Sequence, residues 1–135
     1  MTPKEYLNQY RDKCLEVISM KDEIKELQSL AEYASPGTEA GVNSGTSDKV
    51  GKLSAKIIDE QAKLDQKIEG VWELRKEIKS AISAVNDPVY RFILTMKYIC
   101  GCNLEKISIK MHCSYRWAKK LHGKALKEIV VPAEK

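Results

Sequence analysis

Between Pro3 and Ala34 the sequence has no internal Gly or Pro. Over that run Tyr6, Tyr10, Lys13, Val17, Met20, Ile24, Leu27, Ala31 and Ala34 recur in alternating steps of four and three. A 3.5-residue repeat keeps one stripe of a helix facing a partner, so the pattern is a coiled-coil seam. At about 1.5 Å per residue such a helix spans roughly 48 Å. Leu7, Cys14, Ile18 and Leu30 widen the stripe, so the helix is expected to touch more than one neighbour.

A second seam follows. Val50, Leu53, Ile57, Glu60, Leu64, Lys67, Val71, Leu74, Ile78, Ala81 and Val85 step by three and four, and Ile58, Ile68, Trp72 and Ile82 broaden them. The helix is expected over Asp48–Val85, capped by Asp48 or Ser47. Between the two seams SPGTEAGVNSGTS (Ser35–Ser47) repeats no apolar position and reads as a loop. Lys13, Glu60 and Lys67 fall on the seams, where polar residues cost stability but fix register. Gly70, inside the second helix, predicts a bend or a close contact. Two long helices joined by one loop make an antiparallel hairpin. Its leftover apolar positions call for self-association, the alternative being that later helices fold back over them.

From Asn86 the pattern changes. Asp87-Pro88 stops one helix and starts the next, with Asp87 as cap and Pro88 in the first turn. That helix continues through Val89, Phe92, Ile93, Met96 and Ile99 to Gly101. Asn103 caps a short helix over Leu104–Met111, and His112-Cys113 forms a tight turn. Ser114 caps a last helix running from Tyr115 to about Ile129. Two short helices joined by a three- or four-residue turn and braced by a third are the helix-turn-helix pattern. Small Ser108 and Ala118 stand where the two helices must cross. The chain thus divides at 86/87: residues 1–86 as a helical hairpin and oligomerisation arm with a loop at 35–47, and residues 87–135 as a DNA-binding domain. The fold class is all-α.

Charge follows the same division. The chain has 23 Lys/Arg and 19 Asp/Glu, a net +4. Residues 87–135 hold 10 of the bases and 4 of the acids, so they are basic while the hairpin is slightly acidic. Such asymmetry points to a polyanion at the C-terminal end. On a wheel of the last helix Ala118, Leu121, His122, Ala125 and Ile129 share the core side. Arg116, Lys119, Lys120, Gly123 and Lys127 lie opposite, flanked by Tyr115 and Trp117. From Ser114 to Lys127 there are five bases and no acid. Arg116 suits a guanine edge, worth about 1–3 kcal/mol of discrimination. Lys119, Lys120, Lys124 and Lys127 suit phosphates, and Gly123 leaves room for the DNA backbone. The DNA-binding set is therefore Tyr115, Arg116, Trp117, Lys119, Lys120, Lys124 and Lys127.

The stretch DPVYRFILTMKYICGCNLEKISIKMHCSYRWAKKLHGKALKEI (Asp87–Ile129) resembles the helix-turn-helix of sigma factor region four. More closely it resembles small phage and prophage proteins of Gram-positive bacteria related to the ArpU/RinA-type late-transcription regulators. YLNQYRDK (Tyr6–Lys13), the Gly/Ser loop and AKIIDEQAKLDQKIEGVWELRKEI (Ala55–Ile78) fit that family's arrangement, and SYRWAKKLHGKAL (Ser114–Leu126) is the most telling piece. The resemblance implies binding to promoter-region double-stranded DNA, control of phage genes in the bacterial cytoplasm, and RNA polymerase as a candidate partner. In the sigma-type pattern Tyr115, Arg116, Lys119 and Lys120 fall at groove-facing positions. Two positions depart from it. His112 stands where Gly is usual and would have to accept a left-handed backbone, and Ala118 replaces a β-branched residue.

Other chemistries find no pattern here. Cys14, Cys100, Cys102 and Cys113 read as reduced thiols rather than a disulfide framework. Cys100-Gly-Cys102 has the wrong spacing for structural zinc, which takes C-x₂₋₄-C pairs, so no metal or cofactor is expected. There is no phosphate-cradling Gly-rich loop, H-E-x-x-H or G-x-S-x-G, so no enzyme is expected either. No apolar run approaches the about 20 residues of a membrane span. Met1–Asn8 lacks the layout of a signal peptide. The competing class is a protein-interaction module, docking on polymerase or another phage protein through the sigma-like helices or the hairpin.

Overall fold

The structure, a computed structural model, describes residues 1–33 and 44–132, with backbone alone over 44–48. The described residues are helical and contain no strand. Helices α1 (Pro3–Tyr33) and α2 (Ser44–Ser83) form the long antiparallel hairpin. Three shorter packed helices follow: α3 (Pro88–Leu94, continued by a π-helical turn over Thr95–Ile99), α4 (Leu104–Lys110) and α5 (Tyr115–Glu128). The loop expected over Ser35–Ser47 lies outside the described residues as far as residue 43. Because α2 starts at Ser44, Ser47 and Asp48 stand inside the helix rather than at its cap. It also stops two residues short of the expected Val85, where the break at Asn86-Asp87-Pro88 takes effect.

The start of each shorter helix is written in one side chain. Asp87 accepts from Val89 N–H at 2.8 Å, Asn103 from Lys106 N–H at 2.8 Å, and Ser114 from Trp117 N–H at 3.1 Å. Each satisfies an N–H that the first helical turn leaves without a partner. At α1, Thr2 and Glu5 cap reciprocally: Thr2 N–H donates to Glu5 Oε2 at 3.2 Å, and Glu5 N–H to Thr2 Oγ1 at 3.1 Å.

The chain divides into two compact units. One comprises Leu15–Gly70. There Val17, Leu27 and Ala31 of α1 and Val50, Leu53, Ile57 and Leu64 of α2 are half-buried, and Ile24 is buried. Lys67 leaves the seam. It is exposed, with its Nζ 3.4 Å from Glu16 Oε2 on α1, while Ile68 takes the half-buried place. Ile18, Leu30 and Ile58 remain about half exposed or more. An added Cβ on Gly70 would meet nothing within 4 Å, so the expected close contact there is absent.

The other unit joins Met1–Cys14 to Val71–Lys135. The seam shifts by one position here too: Lys13 is exposed and Cys14 half-buried. One core gathers Tyr6 and Leu7 from α1, Ile78 and Ile82 from the end of α2, Val85 just beyond it, Leu94 and Tyr98, and Ala125 and Ile129. A second joins Ile93, Ile107 and Leu121, one from each short helix. Each fully buried Ile or Leu contributes roughly 1.5–3 kcal/mol, against under about 1 kcal/mol for an exposed ion pair such as Lys63–Glu60. Burial therefore sets the arrangement. It also answers part of the leftover-face question: Leu7 and Ile82 are covered by the later helices, whereas Trp72 stays exposed with the Arg75 guanidinium over its ring.

The third helix departs from the expected unbroken run to Gly101. Cys100 N–H bonds Thr95 O at 3.0 Å, five residues back, and Cys102 N–H bonds Met96 O at 2.9 Å. Gly101 takes φ 74 to end it. The wide turn rephases the side chains, sending Leu94 and Tyr98 to one core while Ile93 and Met96 pack at the other. Arg91 closes the α2–α3 corner, its Nη1 donating to Val85 O at 2.6 Å and Asn86 O at 2.9 Å.

His112 has φ 55, the left-handed conformation that its place in the turn requires. His112 N–H reaches Ile109 O at 3.2 Å and Cys113 N–H reaches Ser108 O at 3.0 Å, which together make a Schellman ending for α4. A Cβ in that conformation costs about 1–2 kcal/mol. His112→Gly should therefore raise unfolding stability by about 1 kcal/mol in urea titration, with the denaturant slope unchanged. A loss of stability would mean that the imidazole makes a contact outweighing the backbone strain.

Candidate nucleic-acid interface

Helix α5 has two chemically distinct faces. Ala118, Leu121, His122 and Ala125 are buried, and Leu126, which the wheel did not assign, packs against the larger core. Tyr115, Arg116, Trp117, Lys119, Lys120, Lys124 and Lys127 are all exposed. The structure thus places the seven sequence-derived candidates on the outward side of one helix. The seven follow the Ser114 cap and the left-handed turn at His112. Ser108 and Ala118, the small residues expected at the α4–α5 crossing, are both buried.

Two of the cations are organised by an aromatic ring. Lys120 Nζ lies 5.7 Å and Lys124 Nζ 5.9 Å from the centroid of Trp117. An exposed indole thereby holds two ammonium groups on one side of the helix, each worth about 0.5–1 kcal/mol. None of the five α5 bases named above forms an ion pair among the described residues. Lys106 and Lys110 of α4 are exposed as well.

Behind this face α5 is pinned by a polar contact. Tyr98 Oη lies 2.8 Å from His122 Nε2, and the rings stack at 5.7 Å between centroids. Burial pushes the Tyr98 phenol up to about 12, so it keeps its proton at neutral pH and shares one hydrogen bond with the imidazole. Burial first, then the charges of Lys97 and Lys4, hold His122 below its ordinary value. His122 is thus the hydrogen-bonded interior histidine expected from its side of the wheel. Among the described residues no three His, Cys, Asp or Glu side chains come together to hold a metal ion.

A family model covers residues 32–129, spanning α2 to α5 and leaving most of α1 outside. The chain belongs to DUF1492, a family described as protein of unknown function. No curated protein and no solved structure matches it. The family match includes the whole cationic helix of this DUF1492 chain and both residues of the Tyr98–His122 contact. Among the described residues no helix is long and apolar enough to cross a membrane.

The sign of the His122 effect on stability follows from its lowered proton affinity. Below the ordinary histidine value of 6.5 the unfolded chain takes up a proton that the folded chain resists. The contribution is complete above that pH, is lost as pH falls through it, and levels off below the folded value. The free-energy difference between wild type and His122→Gln, from denaturant unfolding, should shrink between about pH 7.5 and about pH 5.5. A difference constant across that range would contradict a neutral interior imidazole.

Proposed function

We propose that this DUF1492 protein is a sequence-specific double-stranded DNA-binding regulator of transcription, with α5 as the recognition helix. The observation that carries the reading is the outward face of α5, cationic and aromatic and free of acids from its cap to Lys127. A recognition helix puts base-reading side chains near its N-terminus and cations beside phosphates. Tyr115 and Arg116 occupy the first turn and read base edges; Lys119, Lys120, Lys124 and Lys127 bind the backbone, with Trp117 organising two of them. The resemblance of Asp87–Ile129 to ArpU/RinA-type regulators supports the same reading and makes phage or prophage genes in the bacterial cytoplasm its targets. Exposed Ile18, Leu30 and Ile58 on the hairpin support self-association, which would present two recognition helices to two half-sites.

Binding to a fragment selected for tight association separates the roles. Arg116→Ala should narrow the preference for that fragment over random duplex by about 1–3 kcal/mol. Lys120→Ala should weaken both alike and flatten the logarithmic salt slope by about one unit. Equal losses on both duplexes for Arg116→Ala would remove it from base reading.

A second reading, docking on RNA polymerase, is favoured by Val89 and Phe92, three residues apart on α3 and each about two-fifths exposed. Capture of purified polymerase without DNA, abolished by Phe92→Ser, would support it. Capture only when DNA is present would leave α5 as the binding element.

A further inference from the structure

The C-terminal compact unit carries a cleft of about 340 Å³ that the DNA-binding reading does not use. One wall is the first half of α1, with Asn8, Tyr10 and Arg11; the other is the π-helical turn and the segment after it, with Lys97 and Asn103. Its charge is one-sided. Arg11 and Lys97 both line it, no carboxylate does, and neither cation forms an ion pair among the described residues. Lys97 is half-buried. Its charge is felt at His122, where it lowers proton affinity. Two amide side chains and the Tyr10 phenol add neutral hydrogen-bonding groups. Burial first, then Cys14, hold that phenol above its ordinary range, so it is a donor at neutral pH.

We propose that this cleft binds a small organic anion, a phosphate or carboxylate, between Arg11 and Lys97. The volume lies at the small end of the ~300–1,000 Å³ typical of ligand sites, which suits a metabolite-sized molecule. Two cations approaching from different elements match an anion with several acceptor oxygens. The π-helical turn builds the site, because its extra residue carries Lys97, Tyr98 and Gly101 to the same wall. Tyr98 lines the cleft and also bonds His122 on α5. The occupant therefore sits one hydrogen bond from the helix that carries the cationic face.

Amide NMR of the full chain tests this without any DNA. The probes are inorganic phosphate, adenosine monophosphate and succinate, each titrated to about 10 mM, well above the roughly 1 mM dissociation constant of a weak site. At least one should give saturable shifts at Gly101 and Asn103, accompanied by a shift at His122. Arg11→Gln with Lys97→Gln should weaken that binding by about tenfold or more, while Lys52→Gln, exposed in the other compact unit, should leave it unchanged. Arg11→Gln alone, at an exposed position, keeps the test open if the double variant fails to fold, and should itself weaken binding severalfold. No saturable shift with any probe would overturn the proposal. So would shifts that persist undiminished in the Arg11 variants, or cleft shifts produced by random duplex DNA but by none of the three probes.

Discussion

Burial of one face of α5 is the constraint on which the rest depends. Leu121 is fixed in one core and Ala125 and Ile129 in the other, so the helix cannot rotate without exposing apolar surface worth several kcal/mol. With that face committed, every base between Ser114 and Lys127 is turned outward. The position of the cations is thus a consequence of packing rather than of attraction among charges. Tyr98 sharpens it by offering His122 the hydrogen bond that an interior imidazole needs.

The larger core also ties the hairpin to the helices after it. Tyr6 and Leu7, near the start of the chain, share it with Ile129, near the end of the described residues. The compact unit therefore runs from Met1–Cys14 to Val71–Lys135 and cuts across both long helices. A chain position such as 86/87 marks where a helix stops; it does not mark where a core stops. In this unit the α2–α3 corner is held by Arg91, whose paired bonds to Val85 and Asn86 carbonyls follow the preference of a cation for a helix C-terminus.

Much of this was legible in the residues because the signals were local or strictly periodic. Asp87, Asn103 and Ser114 are caps whose chemistry needs only the next few backbone N–H groups. The left-handed His112 followed from the turn it occupies. The wheel of α5 separated its faces because four buried positions repeat at helical spacing. What the sequence did not disclose has physical reasons as well. The π-helical turn at Thr95–Ile99 has no propensity signature, since it is imposed by two cores competing for successive side chains of one helix. Lys13 and Lys67 fell on an ideal 3-4 seam, but a one-residue shift puts Cys14 and Ile68 inward and leaves both lysines exposed. The reciprocal cap of Thr2 and Glu5 is written locally in the sequence as T-x-x-E. The cleft between α1 and the π-helical turn joins residues about ninety positions apart, which no local pattern can bring together.

On the proposed reading, the outward face of α5 recognises duplex DNA in a sequence-dependent way. That recognition is tested most directly by selecting bound fragments from the genome that carries this gene, at near-physiological salt, and footprinting those that survive. Enrichment of one or a few sites, with a repeated half-site whose spacing reflects the assembled hairpins, is the expected result. A flat profile that collapses as salt is raised would contradict it, because electrostatic attraction to phosphates would then be the whole of the binding.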